Sequence, residues 1–479
     1  MYPFNINLNT SIFTSGSLLH APGLFKNNWG GDLYRSLIRS KLDYGSFVYG
    51  SAAKTYLKQL DVIANTGLRI ALGAFRTSPV ASLYAEAGEA PLEERRDMLS
   101  LQYAVRISQF PEFPVYDDIF NLPTLNSYMA RPATYTGPFA VRVKPLLECA
   151  MVNFDKDNVF PRESISDPWS FPRPDIDWSL TQFKKSETTP EVFLSKFYEI
   201  KSSYVGFREI YTDGSKSSDA VGFAAFYPAL RFHLNGRLNP LSSVFSAELY
   251  AILQSFYMIK NDPRDKFIIY SDSKSSLQAL SQYDPINPII CTVLKLYFQL
   301  LNLHKIIKFC WIPSHCGIPG NERVDALAKE ALTARSVNLQ VHKVVATDYN
   351  MCIRERQNLN HQVEFEFVSQ YNKLYQIQPY INYNTNLGLY SRKEEMVITR
   401  LKIGHTYYTS AYLLRGEPPP HCDLCDCTIT VKHILFECVE YEVQRRRFLN
   451  IPVYCDMFKK ENYPKLIKFI KSIGLYSFI

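Results

Sequence analysis

Between residues 207 and 336 the hydrophobic pattern switches repeatedly between two periods. Extended runs rich in β-branched and aromatic residues occupy 207–212, 221–227, 231–238, 266–271 and 305–312, and helical spacing occupies 246–259, 273–282, 288–302 and 320–335. Three strands in series, then helix, strand, two helices, strand and helix, predict an α/β layer structure built on a mixed sheet.

Acidic residues mark the ends of these elements. Asp213 follows the run Ile210-Tyr211-Thr212 and precedes Gly214, where Asp-Gly predicts a turn. Glu248 falls in the first turn of the first helix, within FSAELYAIL. Asp272 ends an apolar strand at the mouth of a helix in FIIYSDSKSSLQAL, and Asp325 lies on the last helix. Taken singly, each has a structural reading. Asp213 suits a turn, Glu248 complements a helix dipole, Asp272 suits an N-cap, and Asp325 can pair with Lys329 at i+4. Taken together they suit chemistry, because ligand crevices in open α/β sheets lie outside the carboxyl ends of strands. Carboxylates crowded there repel and raise one another's pKa, and hard divalent cations such as Mg²⁺ or Mn²⁺ relieve that repulsion. Two such ions about 3.5–4 Å apart serve phosphodiester hydrolysis.

The stretches YTDGSK, SAELYAIL, YSDSKSSLQAL and WIPSHCGIPGNERVDALAKEA resemble the four core motifs of type 1 ribonuclease H. The resemblance implies a five-stranded mixed sheet flanked by helices over 207–336, and cleavage of the RNA strand of an RNA–DNA hybrid with two divalent ions. It carries the metal ligands onto Asp213, Glu248, Asp272 and Asp325. It also gives His315, in the Gly/Pro-rich loop SHCGIPGN, a part in proton transfer or product release, with Asn321 and Glu322 in support. Ser215, Ser246, Ser273 and Asn321 are the candidate substrate contacts. Such a fold reads hybrid shape and 2′-hydroxyls rather than base sequence. The segment carries 14 Lys/Arg against 11 Asp/Glu, a modest +3 within a chain of net +7. Affinity for a polyanion is therefore expected to draw on other parts of the chain.

Four of the ten cysteines crowd into HCDLCDCTITVKHILFEC. Cys422-x2-Cys425, His433 and Cys438 have the spacing of a closed tetrahedral zinc site, and Cys427 is a spare thiol that competes with Cys425. One structural Zn²⁺ is expected, and a knuckle of this kind can also grip single-stranded nucleic acid. Arg445, Arg446 and Arg447 follow as a solvated run.

Residues 1–30 read as irregular, 31–135 as helical, 136–206 as a proline-rich linker, 337–400 as a helical connector, 401–455 as the cysteine region and 456–479 as a helical tail. Leu57, Leu60, Ala64, Leu68 and Ala71 share one helix face, and Gly73 stands where that helix should stop. The run from Tyr34 to Ala104 resembles the thumb-side segment of a reverse transcriptase from a Jockey-like non-LTR retrotransposon. The order of thumb, ribonuclease H and CCHC knuckle agrees with that resemblance. A polymerase palm and an endonuclease do not precede it, so the expectation is a truncated element. Tyr-Asp-Asp in VYDDIF follows the thumb-like helices, so Asp117 and Asp118 read as a surface loop without polymerase activity. With no basic n-region, no long apolar run and a hydrophobic fraction of 46%, the sequence reads as a folded, reduced, intracellular protein, nuclear or cytoplasmic, neither secreted nor embedded in a membrane. The alternative function is a nucleic-acid-binding relic without turnover.

Overall fold

The computed structural model describes residues 29–122, 127, 137–149, 156–162, 172–283, 285–383 and 390–479. Residues 1–28 of the irregular N-terminal stretch, and Pro168 of the proline-rich segment, lie outside them. The chain divides into two units, one of residues 1–96 with 357–479 and the other of residues 97–356. Among the described residues no helix is long and apolar enough to cross a membrane.

The second unit is organised by one sheet. Its strands are β1 (Asp175–Asp177), β2 (Arg208–Lys216), β3 (Val221–Tyr227), β4 (Phe232–Leu238), β5 (Lys266–Ser271), β6 (Ile306–Trp311) and β7 (Leu339–Val341). Their order is β1-β6-β5-β2-β3-β4-β7. β2, β3 and β4 run antiparallel, and the other pairings are parallel. The sheet is mixed and flanked by helices, as expected; β2 to β6 are the five strands expected over 207–336, and β1 and β7, outside that segment, extend the sheet to seven. The two additions are three-residue edge strands, too short to carry a period that sequence can register.

Alternation along the strands sorts side chains to two faces. Ile210, Phe267, Ile269 and Phe309 pack with Leu249, Ile252 and Phe256 of the helix Val244–Lys260 and with Leu294 and Tyr297 of the helix Pro288–Asn302. Tyr211, Ile268, Tyr270 and Cys310 pack with Val324, Leu327 and Ala328 of the helix Pro319–Thr333 and with Phe197. The segment 136–206 is therefore not a linker. It contains the helix Phe139–Cys149, β1 and the helix Pro190–Ser203, whose Phe193 and Phe197 are buried one turn apart. Pro190 starts that helix from its first position instead of breaking it.

A third cluster in this unit joins Met98, Leu101, Ala104 and Val105 of the helix Leu92–Ile107 to Tyr349 and Ile353 of the helix Ala346–Phe367. Asp117 and Asp118 are exposed on a short helix, Pro114–Phe120, rather than in a loop, because Pro114 opens a helical turn there.

In the first unit the helix Lys54–Leu72 buries Ala64, Leu68 and Ala71 and stops at Gly73, which takes φ +64°. Leu68 and Ala71 share a cluster with Leu83, Tyr84 and Ile403. Sequences at opposite ends of the chain thus build a common core here. The C-terminal tail packs in a separate cluster of this unit, where Leu466, Phe469 and Ile470 meet Val431, Ile434 and Leu435 beside the cysteines.

Candidate active site

β2 does not turn at Asp213-Gly214. It continues to Lys216, pairing Asp213 with Ala224 and Gly214 with Phe223 of β3. Gly214 is required by its neighbour across the layer. A Cβ there would lie 2.7 Å from the Glu248 backbone nitrogen and 2.9 Å from Ala247 Cβ. The bare glycine lets the helix Val244–Lys260 settle directly on the strand, and the Gly214 N–H donates to the Glu248 carboxylate. β5 runs parallel to β2 with Tyr211 opposite Tyr270 and Thr212 opposite Ser271, so the next residues along, Asp213 and Asp272, emerge side by side.

Carboxylate oxygens of Asp213, Glu248 and Asp272 all lie within 4.8 Å of one another. Asp213 and Glu248 are each only 6% exposed, which makes the crowding costly. Burial, then the charges of Asp272 and Asp325, hold the Asp213 carboxyl well above the usual carboxylate range. Burial, then Asp213 and Asp272, do the same to Glu248. Burial raises Asp272 too, against the opposing effect of a hydrogen bond from Asn321 and the nearby His315. Among the described residues no donor reaches the buried Oε2 of Glu248. Three mutually repelling carboxylates with an orphaned oxygen are a donor set that suits one or more hard divalent cations.

Asp325 does not share that compact group. Its carboxylate lies within 4.8 Å of ligand atoms of His315 and Glu322, and its Oδ2 accepts from Lys329 Nζ at 2.7 Å. The i+4 pairing legible in the sequence is therefore present, while Asp325 still bears on Asp213 through its charge. His315 is exposed and takes φ +55°, a left-handed conformation rare for residues with a side chain. Lys185 donates to Ser314 in the same loop at 2.9 Å.

The four candidate substrate contacts divide. Ser246 is 1% exposed and its hydroxyl donates to Asp348 Oδ2 at 2.7 Å, so it is withdrawn from any substrate. Asn321 is buried and serves Asp272. The Ser273 hydroxyl donates to Ser276 at 2.8 Å, and Ser215 is half-buried. Sequence reasoning missed Asp348 and Lys185, both of which lie outside the recognisable motifs.

Compared with models of protein families, one segment of this unit has a match. Residues 208–333 match RNase H. No curated protein matches the chain. The RNase H domain thus spans β2 to the helix Pro319–Thr333 and holds all five acidic and histidine candidates.

In the other unit, Cys422, Cys425, His433 and Cys438 offer ligand atoms within 4.8 Å of one another. Cys422 and Cys427 face each other across the two-stranded ribbon His421–Cys422 and Cys427–Thr428, with Cys425 in the turn. Cys422 Sγ and Cys438 Sγ are 3.9 Å apart. Two thiolates on a tetrahedral zinc at about 2.3 Å would be separated by roughly 3.8 Å, so the pair fits. Cys427 lies 3.3 Å from His433 Nδ1 and outside the four-residue group. Arg445 is not solvated with its neighbours. Its guanidinium donates to the carbonyls of Leu435 at 2.9 Å and Cys438 at 2.7 Å and so ties down the segment between His433 and Cys438.

Proposed function

We propose that the RNase H domain is a divalent-cation-dependent endonuclease that hydrolyses the RNA strand of RNA–DNA hybrids. The observation that carries this reading is the buried convergence of Asp213, Glu248 and Asp272 at the sheet's carboxyl edge, with one oxygen of Glu248 unpartnered. When bound, Mg²⁺ or Mn²⁺ ions supply a nucleophile at neutral pH and neutralise charge on the phosphodiester. Asp213, Glu248 and Asp272 hold the ions, and Asn321 orients Asp272. Asp325 adds negative charge at the rim. His315, exposed on its left-handed turn, handles the proton of the leaving oxygen.

The flanking segments are read as retroelement-derived, on the resemblance of residues 34–104 to a reverse-transcriptase thumb and on the CCHC order. Cys422, Cys425, His433 and Cys438 hold one structural Zn²⁺, since four protein ligands leave no position for catalysis.

The test is a labelled hybrid incubated with the full chain in Mg²⁺, in Mn²⁺ and in EDTA. Cleavage confined to the metal-containing samples, abolished by Asp272→Asn with hybrid binding retained, is expected. Binding without cleavage at every metal concentration would instead identify a nucleic-acid-binding relic. Cleavage that survives Asp272→Asn would refute the ligand assignment.

A further inference from the structure

The helix that carries Glu248 is fastened at its N-terminus from outside the RNase H match. Ser243 caps it, accepting from the Ser246 N–H at 3.1 Å. The Ser243 N–H and the Ser246 hydroxyl both donate to one oxygen of Asp348, Oδ2, at 3.0 and 2.7 Å. Asp348 is 3% exposed and begins the helix Ala346–Phe367, beyond residue 333 where the match ends. Its position is itself fixed. Tyr349 and Ile353, on the same helix, are buried among Met98, Leu101, Ala104 and Val105, and Leu241 packs on that cluster. Asn239 donates to the His342 carbonyl at 3.1 Å. The approach to the Glu248 helix, from Asn239 to Ser246, is thus seated on residues 342–353.

We propose that Asp348 is a positioning residue for Glu248, holding the first turn of its helix against the repulsion that the carboxylate cluster generates. The inference rests on the reading of Glu248 as a metal ligand. Glu248 follows Ser246 by less than one turn, and the negative charges of Asp213 and Asp272 oppose its approach. The Gly214 N–H holds the carboxylate end, and Asp348 holds the backbone end. A buried carboxylate at the positive end of a helix, taking two hydrogen bonds, is a strong tether. Asp348 is not part of the group formed by Asp213, Glu248 and Asp272, and its Oδ2 is taken by Ser243 and Ser246, so it acts through the placement of Glu248.

The experiment measures Mn²⁺ binding to the full chain by calorimetry without nucleic acid, beside kcat and KM on a hybrid. Asp348→Ala is expected to weaken Mn²⁺ about tenfold and to lower kcat about tenfold with KM within twofold, the range seen when outer-shell partners are lost. Asp348→Asn, whose amide oxygen still accepts, is expected to recover most of both. Ser246→Ala removes one donor and gives a smaller loss in the same direction, so the test stands even where Asp348→Ala fails to fold. Mn²⁺ affinity unchanged in Ser246→Ala and Asp348→Ala, with only thermal stability reduced, would overturn the proposal. A chain that binds Mn²⁺ but leaves hybrid intact would overturn the nuclease reading instead, and the affinity shift alone would then judge Asp348.

Discussion

Gly214→Ala probes the contact on which the carboxylate cluster depends. Gly214 is not among the glycines with positive φ, so alanine is conformationally acceptable and the added methyl is the whole perturbation. In the unfolded chain the change reduces entropy, which favours folding by about 0.4–1 kcal/mol. In the folded chain the new Cβ lies 2.7 Å from the Glu248 nitrogen and 3.0 Å from the Ala247 carbonyl carbon. Both are backbone atoms, so rotamer changes give no relief. Restoring an ordinary 3.4 Å contact from 2.7 Å means a retreat of the helix by about 0.7 Å. Overpacking of this kind costs about 1–3 kcal/mol, so the net effect is destabilisation by roughly 1–2 kcal/mol. The functional effect should be larger than the stability effect. Glu248 moves with the helix, and a misplacement of about 1 Å costs about 100-fold in rate. Hybrid cleavage at saturating Mg²⁺ should therefore fall by about 10–100-fold, while thermal unfolding shows a chain that still folds. Wild-type kcat in a folded Gly214→Ala chain would refute the claim that helix-to-strand approach sets the site.

Without divalent ions, the raised pKa values of Asp213, Glu248 and Asp272 mean that the folded chain binds more protons than the unfolded one. Stability should therefore fall as pH rises from the ordinary carboxylate range towards the elevated folded values, and Mg²⁺ should flatten that slope in pH-dependent thermal unfolding. Asp213→Asn removes one of the repelling charges and should raise the metal-free Tm at pH 8 by about 2–4 °C, the size of roughly 1 kcal/mol in a unit of this length, while abolishing cleavage. A lowered Tm would contradict the repulsion described here. His315→Ala should slow turnover without stopping it, as read in single-turnover hybrid cleavage. Metal analysis should find one zinc per chain in the wild type and in Cys427→Ser, and none in Cys422→Ser.

Much of the RNase H domain was legible because its strands and helices are long enough to show a period, and because Asp272 directly follows β5 and Glu248 falls near the start of its helix. The limit of local reading is clearest at Asp213-Gly214. The dipeptide signals a turn, yet the strand runs on and the reversal comes at Ser217–Ala220, where the Ser217 N–H reaches the Ala220 carbonyl at 2.9 Å. What selects glycine is the backbone of a helix thirty residues away in the chain, which no local window contains. Ser246 misled in a related way. It lies within a motif and looks available, but a partner from a distant helix takes its hydroxyl. Asp348 itself, a single acid near a helix start, carries no signature beyond a favourable dipole. The convergence of Cys422, Cys425, His433 and Cys438 was readable because short spacings bring such residues together, whereas the role of Arg445 depends on carbonyls that only the folded chain brings round.

The two three-residue edge strands carry a practical consequence. β1 covers the outer side of β6, and β7 covers the outer side of β4. A fragment trimmed to residues 208–333 would lose both and leave the six-residue β6 and the seven-residue β4 with open rows of amides and carbonyls on either flank. Such borders invite further strands to add on, copy after copy. Expression work on this domain should therefore keep residues 175–177 and 339–341, or expect the trimmed piece to leave solution before it can be assayed.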